Sequence, residues 1–320
     1  MTPRATSQDS TLVHQTLFFE SVEQQADAFT PLLTAALRDG QAVTAVLDAP
    51  VVEALGQRMG DDLDQVSVRS PTECFHYPGQ AMRDVEQLAR ESTARGSRGL
   101  IVGEPRFEHD GMDEDLWLQV EAAYTAVLAD APITMICSYN TQERSDALLA
   151  GARCTHDQIR EGGRLHRSTD YLDLPDYLAA HPVAAPSAPA PEQTWSVRSP
   201  LDAANMRRQV HGWATAGGLR TERAVDLTVA VNELVTNAIV HGSDVGSVSW
   251  WRGPQELVVE VTNPGEPEDD YLGLAPPSRL SPDGRGLWMT RRLCDSVYVW
   301  PQDGGTHVRV EMALDTSGTP

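Results

Sequence analysis

The stretch Val231-Asn232-Glu233-Leu234-Val235-Thr236-Asn237-Ala238 decides the fold of the second half of this chain. Glu233 and Asn237 are four residues apart, so a helix would project both from one face, beside its apolar stripe. A carboxylate there can orient or deprotonate a hydroxyl or a water, and an amide oxygen is a hard ligand that suits Mg²⁺. Taken alone, this spacing favours a solvated polar face. The stripe consists of Leu227, Val231, Leu234 and Ala238.

Two further segments follow this helix and have the chemistry of a phosphate site. Asn263-Pro264-Gly265 comes directly after a β-branched strand, where a glycine lets the backbone approach a ligand closely. Gly284-Arg285-Gly286 opens a helix, and free N–H groups at a helix N-terminus favour a phosphate. Thr306 would add a hydroxyl to the same site. Each segment is a weak signal by itself, but the three occur in one order with plausible spacing and secondary structure.

Around these motifs, hydrophobic periodicity predicts helices packed on an antiparallel sheet, which is an α/β sandwich. A final hairpin turns at Asp303-Gly304-Gly305. The predicted strands are 195–199, 245–251, 256–262, 296–300 and 306–312, and the predicted helices are 201–216, 221–240 and 287–294.

With these motifs, residues 193–320 resemble the ATPase domain of the GHKL superfamily (gyrase, Hsp90, histidine kinase, MutL), and most nearly its RsbW-like anti-sigma-factor serine kinases. The resemblance implies ATP and Mg²⁺ as cofactors, Glu233 as the base or water-orienting group, and Asn237 as the Mg²⁺ ligand. It assigns the phosphates to the glycines of segment 284–286, with Arg285 between them, and puts Thr306 nearby.

One position departs from the family pattern. The family has Asp-x-Gly in the adenine pocket, and this chain has Asn263 before Gly265. An amide carbonyl can accept a bond from the adenine amino group, but without the charge of a carboxylate. Because charged hydrogen bonds contribute more than neutral ones, we expect ATP binding about tenfold weaker than with Asp. The departure also keeps open a non-catalytic binding module.

The first half of the chain alternates strands and helices, which predicts an α/β unit with a mostly parallel sheet and flanking helices. It resembles a MEDS sensory domain, which implies a RecA/KaiC-like sheet. The resemblance is carried by His14 with Phe18-Phe19, Gly103-Glu104, Glu121 with Tyr124, and the segments 137–140 and 153–156. The predicted strands are 17–19, 42–47, 66–69, 99–102 and 133–137, and the predicted helices are 21–38, 51–59, 80–95 and 112–128.

Polar residues lie near the ends of these predicted strands, where parallel sheets bind ligands. His14, Glu104, Tyr139 and His156 are candidates for a sensory pocket that takes a small molecule, and the alternative is ordinary hydrogen bonding at strand ends. Cys137 falls within a predicted buried strand and is interpreted as a packing residue. The loop 20–25 has no glycine and no lysine, so we expect no ATP hydrolysis in this unit.

Composition excludes several classes of protein. All 25 basic residues are arginine, which excludes enzymes that need a Walker lysine or a Schiff-base lysine. The net charge of −21 argues against nucleic-acid and anionic-membrane partners. The four cysteines have no CxxC spacing and the nine histidines no HExxH spacing, so neither a disulfide framework nor a zinc site is predicted. With no signal-peptide core or membrane-length apolar run, we expect a cytoplasmic protein.

The sequence predicts three segments. Residues 1–181 form the MEDS-like sensory domain, and 193–320 form the GHKL ATPase domain. Between them, 182–192 has four prolines among alanines, the composition of a semi-rigid linker.

Three functions remain open. The resemblance favours an anti-sigma-factor serine/threonine kinase that binds a sigma factor and phosphorylates an antagonist protein. Arg207 and Arg208 lie on the predicted helix that such proteins use for partners, although a solvated face is the alternative, and such proteins are often homodimers. The second function is a sensor that sequesters a partner without turnover. The third, a sensor histidine kinase, is weak because the linker occupies the place of a dimerisation helix.

Overall fold

A computed structural model describes most of the chain, and its residues fall into two compact units that divide between Tyr177 and Leu178. The predicted domain boundary, after residue 181, lies slightly further along the chain. The described residues are 11–94, 96–105, 107, 113–187, 189–240, 246–265, 271–277 and 285–314.

The first unit contains a seven-stranded sheet in the order β3-β2-β4-β5-β1-β6-β7. All neighbouring pairs from β3 to β6 are parallel, and only β7 pairs antiparallel, with β6. The mostly parallel sheet predicted from the sequence is therefore confirmed. The strands are β1 (Val13–Phe19), β2 (Ala42–Val46), β3 (Ser67–Arg69), β4 (Gly99–Gly103), β5 (Ile133–Asn140), β6 (Gln158–Glu161) and β7 (Arg164–Arg167).

Helices flank this sheet, and their starts follow local capping rules. The side chains of Ser21, Asp113 and Ser145 each accept a backbone N–H at the start of a helix, which satisfies donors that have no partner within the helix. A short 3-10 segment, Gly60–Gln65, extends α2. The helices are α1 (Val22–Arg38), α2 (Ala49–Met59), α3 (Pro71–Cys74), α4 (Pro78–Thr93), α5 (Glu114–Val127), α6 (Asp146–Thr155) and α7 (Leu174–Ala180).

Several of these elements were not predicted. The sequence analysis assigned no helix or strand between Cys137 and residue 182, where the structure contains α6, β6, β7 and α7. The two strands have four residues each, and β7 is exposed along its whole length, so neither produces a clear alternation of apolar and polar residues.

The second unit contains a five-stranded antiparallel sheet in the order β11-β12-β10-β9-β8. Its core joins Leu227, Val231 and Leu234 of the long helix to Val259 and Val310 of the sheet. The predicted α/β sandwich is therefore confirmed. The elements are β8 (Gln193–Val197), α8 (Pro200–Ala216), α9 (Thr221–Val240), β9 (Gly246–Arg252), β10 (Glu256–Pro264), α10 (Arg285–Leu293), β11 (Ser296–Gln302) and β12 (Gly305–Ala313).

Part of the segment interpreted as a linker is bound to this second unit. Arg309 of β12 donates through Nη1 to the carbonyl oxygens of Pro186, at 2.9 Å, and Ser187, at 3.3 Å. The same guanidinium donates from Nη2 to Glu260 Oε2 at 2.8 Å and lies over the rings of Trp251 and Trp300. The chain at 186–187 is therefore tied to the sheet through a side chain that is almost fully buried.

Candidate functional site

The predicted nucleotide motifs meet where α9 packs against the first turn of α10. Gly286, the second residue of α10, is buried against α9. A Cβ added to Gly286 would lie 2.9 Å from Asn237 Nδ2, 3.3 Å from Asn237 Oδ1 and 3.4 Å from Glu233 Cβ. The structure thus brings Glu233, Asn237 and Gly286 together, and both polar side chains are half-buried. The Asn237 amide and the Cβ of Glu233 therefore lie beside the first turn of α10, where a helix N-terminus can bind phosphate and an amide oxygen can bind a metal.

A second group lies at the end of β10. Asn263 is the register partner of Thr306 on β12, and the Thr306 hydroxyl donates to the Gly265 carbonyl at 2.7 Å. Gly265 in turn donates its N–H to the Gly304 carbonyl at 3.1 Å, with φ at +99°, a left-handed conformation that favours glycine. The structure therefore joins Thr306 to the segment 263–265, the predicted adenine end of the site.

Strand geometry determines which face of the sheet carries Asn263 and Thr306. Strand residues alternate between faces, and Val259 and Val261 of β10 belong to the core beneath the helices. Asn263 continues that series, as Thr306 does for Val308 on β12. The polar side chains at both strand ends thus lie on the face of the sheet that α9 covers.

Two of the residues predicted to bind phosphate are Arg285 and Gly284. Arg285 is the exposed first residue of α10. Gly284 lies outside the described residues, as does Asp283 before it. Within α10, the Thr290 hydroxyl donates to the Gly286 carbonyl at 2.8 Å.

The two candidate partner-binding arginines differ in their contacts. Both are exposed on α8, but Arg207 donates from Nη1 to Asn232 Oδ1 at 2.7 Å, and Asn232 Nδ2 approaches Glu233 Oε1 at 3.5 Å. Arg208 donates to Asn205 on its own helix at 2.6 Å. Only Arg207 of this pair is therefore connected, through Asn232, to the predicted catalytic carboxylate in the described contacts.

In the first unit, three of the four predicted sensory residues share one buried cluster. His14 and His156 place their rings 4.0 Å apart between centroids, and the Tyr139 hydroxyl donates to Glu121 Oε1 at 2.8 Å. Glu121 Oε2 lies 3.3 Å from His14 Nε2 and 3.1 Å from His156 Nε2. Cys137 Sγ is 3.5 Å from His14 Nε2. Glu121, rather than Glu104, supplies the carboxylate of this cluster.

The cluster lies on the covered face of the sheet instead of beyond its carboxyl edge. His14 is the second residue of β1, at the end of that strand opposite to its carboxyl end. Glu121 comes from α5, and His156 caps the end of α6. β1 and β5 are parallel neighbours, so side chains at paired positions, and at every second position along each strand, point to the same face of the sheet. His14, Cys137 and Tyr139 therefore all lie beneath the helices.

Glu104 takes part in another buried network. Its Oε2 accepts a hydrogen bond from Gln25 Nε2 at 2.9 Å, and its Oε1 lies 3.9 Å from Arg144 Nη2. Gln25 also donates to the Ser138 hydroxyl at 3.0 Å. Ser138 and Tyr139 are neighbours on β5 and face opposite sides of the sheet, so Glu104 and the histidine cluster belong to different faces.

Burial and mutual proximity shift the protonation of the cluster. Burial, together with the charge of His156, lowers the pKa of His14 to about 4. Burial by itself would raise the pKa of Glu121, but the nearby His156 and His14 hold that pKa well below its usual range. Burial and the Glu121 charge raise the pKa of the Cys137 thiol well above its usual value. An ionised carboxylate is thus buried between two imidazoles.

Glu121 and Cys137 were not predicted to belong to the sensory pocket. Every residue of α5 from Leu116 to Tyr124 is buried, so no polar face marks Glu121 as unusual. The available signal was chemical: an acidic residue within a mostly apolar stretch of a helix needs a partner inside the protein.

Comparison with known families identifies both units. Residues 13–157 match the family described as MEDS, the methanogen/methylotroph, DcmR sensory domain, and residues 198–312 match the histidine kinase-like ATPase domain. No curated protein sequence matches the chain. In the part of the chain that the structure describes, no helix is both long and apolar enough to cross a membrane.

Among solved structures, the chain is similar to the RsbU and RsbW domains of Rv1364c from Mycobacterium tuberculosis, with 20% sequence identity and a TM-score of 0.28. The likeness covers 39% of this chain and 33% of that one. The matched region thus spans about a third of the length of that relative.

Proposed function

We propose that this chain, which combines a MEDS sensory domain with a histidine kinase-like ATPase domain, is a cytoplasmic signalling regulator that binds ATP and phosphorylates a protein. Its proposed partners are a sigma factor and an antagonist of the anti-sigma activity, and its substrate group is a serine or threonine hydroxyl of that antagonist. The observation that supports this most is the packing of Gly286 against Asn237 and Glu233.

The residues of the site fit a nucleotide bound with Mg²⁺. Position 286 has no room for a Cβ beside the Asn237 amide, so the start of α10 presents bare backbone to the cleft. N–H groups at that helix end would bind phosphate oxygens, and Asn237 Oδ1 would bind Mg²⁺. When bound, Mg²⁺ supplies positive charge that neutralises the phosphates.

Glu233 has the position to assist the acceptor. It lies one helical turn before Asn237 and on the same face of α9. In the proposed reaction Glu233 orients the acceptor hydroxyl and takes its proton. The hydroxyl oxygen forms a bond to the γ-phosphorus as the bond between that phosphorus and the bridging oxygen breaks, and ADP leaves.

The adenine end would be formed by Asn263 and Gly265. Thr306, which the family resemblance puts near the phosphates, would support this end from β12. Thr306 holds the Gly265 carbonyl, and this bond fixes the turn that follows β10. The Asn263 amide, half-buried at the end of that strand, would accept a hydrogen bond from the adenine amino group. Its amide oxygen lacks a formal charge, which weakens this contact compared with a carboxylate.

A second candidate function rests on the same residue. If the amide of Asn263 makes nucleotide binding too weak to support phosphoryl transfer, the ATPase domain would act only as a binding module that sequesters its partner. In both cases the MEDS domain would regulate the ATPase domain in response to a ligand or a partner.

Phosphoryl transfer distinguishes the two functions. The full chain is incubated with Mg²⁺, ATP labelled at the γ-phosphate and candidate antagonist proteins, beside Asn237→Ala and the matched control Asn205→Ala on α8. For a kinase, we expect labelled antagonist with the wild type and with Asn205→Ala, and a loss of at least about 100-fold with Asn237→Ala.

Calorimetric titration with ATP, with and without Mg²⁺, completes the experiment. Transfer that survives in Asn237→Ala would contradict the assigned mechanism. Measurable ATP binding with no transfer to any antagonist would favour the binding module. An acid-labile phosphate on the protein itself would indicate histidine phosphorylation instead.

A further inference from the structure

Four buried side chains of the MEDS domain bring their ligand atoms to one point. His14, Glu121, Cys137 and His156 each offer one nitrogen, oxygen or sulfur atom, and these atoms all lie within 4.8 Å of one another. All four residues are less than 9% exposed. They come from four elements that are far apart in sequence, so no short spacing motif reveals them.

Three of the distances among these atoms are close to those of a coordination shell. His14 Nε2 lies 3.3 Å from Glu121 Oε2 and 3.5 Å from Cys137 Sγ, and His156 Nε2 lies 3.1 Å from the same Glu121 oxygen. Bonds of about 2.0–2.3 Å from a tetrahedral ion to N, O and S ligands give ligand-to-ligand edges of roughly 3.3–3.7 Å. The cluster therefore needs only small shifts to enclose an ion.

Surrounding residues orient the ligands toward the centre of the cluster. His156 Nδ1 lies 2.8 Å from the Ala152 carbonyl oxygen, and donation of its proton there leaves the Nε2 lone pair facing Glu121. The Tyr139 hydroxyl donates to Glu121 Oε1, and the Trp117 indole N–H donates to the Tyr139 oxygen at 3.1 Å. Hydrogen bonds behind the ligands are the usual support of a metal site. His156 and Glu121 have this support, whereas His14 Nδ1 has no hydrogen-bond partner among the described residues.

Two of the ligand atoms that face one another lack a hydrogen-bond partner in the described part of the chain. Glu121 Oε2 and His156 Nε2 have no hydrogen-bond partner of good geometry among those residues. A carboxylate oxygen and an imidazole lone pair 3.1 Å apart repel each other unless a proton or a cation lies between them. Buried polar atoms without partners are costly, so either a proton on the imidazole nitrogen or a bound cation must satisfy this pair.

From this geometry we propose that His14, Glu121, Cys137 and His156 bind one divalent transition-metal ion, and that Zn²⁺ suits the site best. One carboxylate and one thiolate balance a divalent cation, so the loaded cluster carries no net charge, as full burial requires. The two imidazoles, the carboxylate and the sulfur form the mixed tetrahedral set that zinc accepts. Binding releases the Cys137 thiol proton to solvent.

This inference is independent of the proposed kinase activity, because the site lies in the other unit and the test uses no ATP. The full chain carries a tag without histidine, and its metal content is measured after gel filtration. Reconstitution with Zn²⁺, with Co²⁺ and, without oxygen, with Fe²⁺ follows treatment with a chelator. We expect about one ion per chain, released with difficulty because the ligands are buried.

Two matched variants connect the ion to the cluster. The Co²⁺ form should show thiolate-to-cobalt charge-transfer absorption that Cys137→Ser abolishes and Cys74→Ser, the same change at a buried cysteine of α3, preserves. Glu121→Gln keeps the shape of the side chain and should weaken metal affinity at least about tenfold. Far-ultraviolet circular dichroism checks that each variant is folded.

Two results would overturn the proposal. One is a folded wild-type chain that retains less than about a tenth of an equivalent of every ion, since a fully formed site binds close to one. The other is a charge-transfer band that persists in Cys137→Ser. Either outcome would leave the cluster as an ion pair in which a proton on a histidine, and no metal, compensates Glu121.

Discussion

Gly286 lies so close to the Asn237 amide that a Cβ at position 286 would be 2.9 Å from Nδ2. Gly286→Ala must therefore displace either the amide or the start of α10. We expect this variant to weaken binding of ATP with Mg²⁺ by about tenfold or more and to lower the free energy of unfolding by roughly 1–3 kcal/mol. Calorimetric titration and thermal unfolding measure the two effects.

A second glycine supplies the control for this experiment. Gly212 lies in α8, and a Cβ added there would meet no atom within 4 Å. Gly212→Ala should leave ATP affinity unchanged and raise the free energy of unfolding by about 0.5–1 kcal/mol, the usual gain in a helix. Unchanged ATP affinity in Gly286→Ala would show that α10 does not contribute to the nucleotide site.

Asn263→Asp tests the adenine end of the site. The carboxylate would make a charge-assisted bond to the adenine amino group, so ATP affinity should rise about tenfold. Asn263→Ala should lower that affinity, because the acceptor is lost. GTP has an acceptor in place of the amino group, so its binding should not improve in Asn263→Asp. Equal ATP affinities in all three proteins would show that residue 263 does not contact the base.

Alanine variants of Arg207 and Arg208 should differ in their rates of phosphoryl transfer. Arg207 reaches Glu233 through Asn232, whereas Arg208 contacts Asn205 on its own helix. Arg207→Ala should lower kcat several-fold, with the dissociation constant of ATP changed less than about twofold, since the arginine acts by positioning Glu233. Arg208→Ala should leave kcat unchanged.

The two arginines also test the predicted partner surface. Both side chains are exposed, so neither alanine variant should change the free energy of unfolding by more than about 0.5 kcal/mol. A rise in KM for the antagonist with unchanged kcat in Arg207→Ala would assign it to partner binding instead of positioning.

The ATPase fold could be predicted because its signals are local. Glu233 and Asn237 share a helix face through their spacing, and Gly286 opens a helix that the sequence also predicts. The contact between Gly286 and Asn237 joins segments almost fifty residues apart, but the order of motifs in the family implied it. The link from Arg207 to Glu233 could not be predicted from the sequence, because it depends on how α8 and α9 are rotated against each other.

The buried cluster of the first unit could not be predicted in the same way. Its members come from β1, α5, β5 and the end of α6, and only the register of two parallel strands brings His14 beside Cys137. Glu104 follows β4 as predicted, yet β5 separates it from the histidines because Ser138 and Tyr139 face opposite sides. Strand alternation was available in the sequence, but the missing α6 left His156 without a position.

Arg309 gives a final prediction about the segment between the family matches. Its guanidinium holds the Pro186 and Ser187 carbonyls, pairs with Glu260 and lies over Trp251. Arg309→Met keeps much of the apolar stem but leaves Glu260 without this partner. Because Glu260 is partly exposed and keeps His307 Nδ1 at 3.0 Å, losing the hydrogen bonds from Arg309 should lower the free energy of unfolding by about 1.5–3 kcal/mol.

The same variant should release the segment 186–187 before the unit unfolds. Below the unfolding temperature, limited proteolysis with an elastase-type protease should cut the Ala/Pro-rich segment of Arg309→Met at least several-fold faster than the wild type. Arg208→Met, the same change at an exposed arginine, should alter neither stability nor cleavage. Because the carbonyl contacts come from Arg309 alone among the described hydrogen bonds to these two oxygens, equal cleavage of wild type and Arg309→Met would show that other contacts hold the segment.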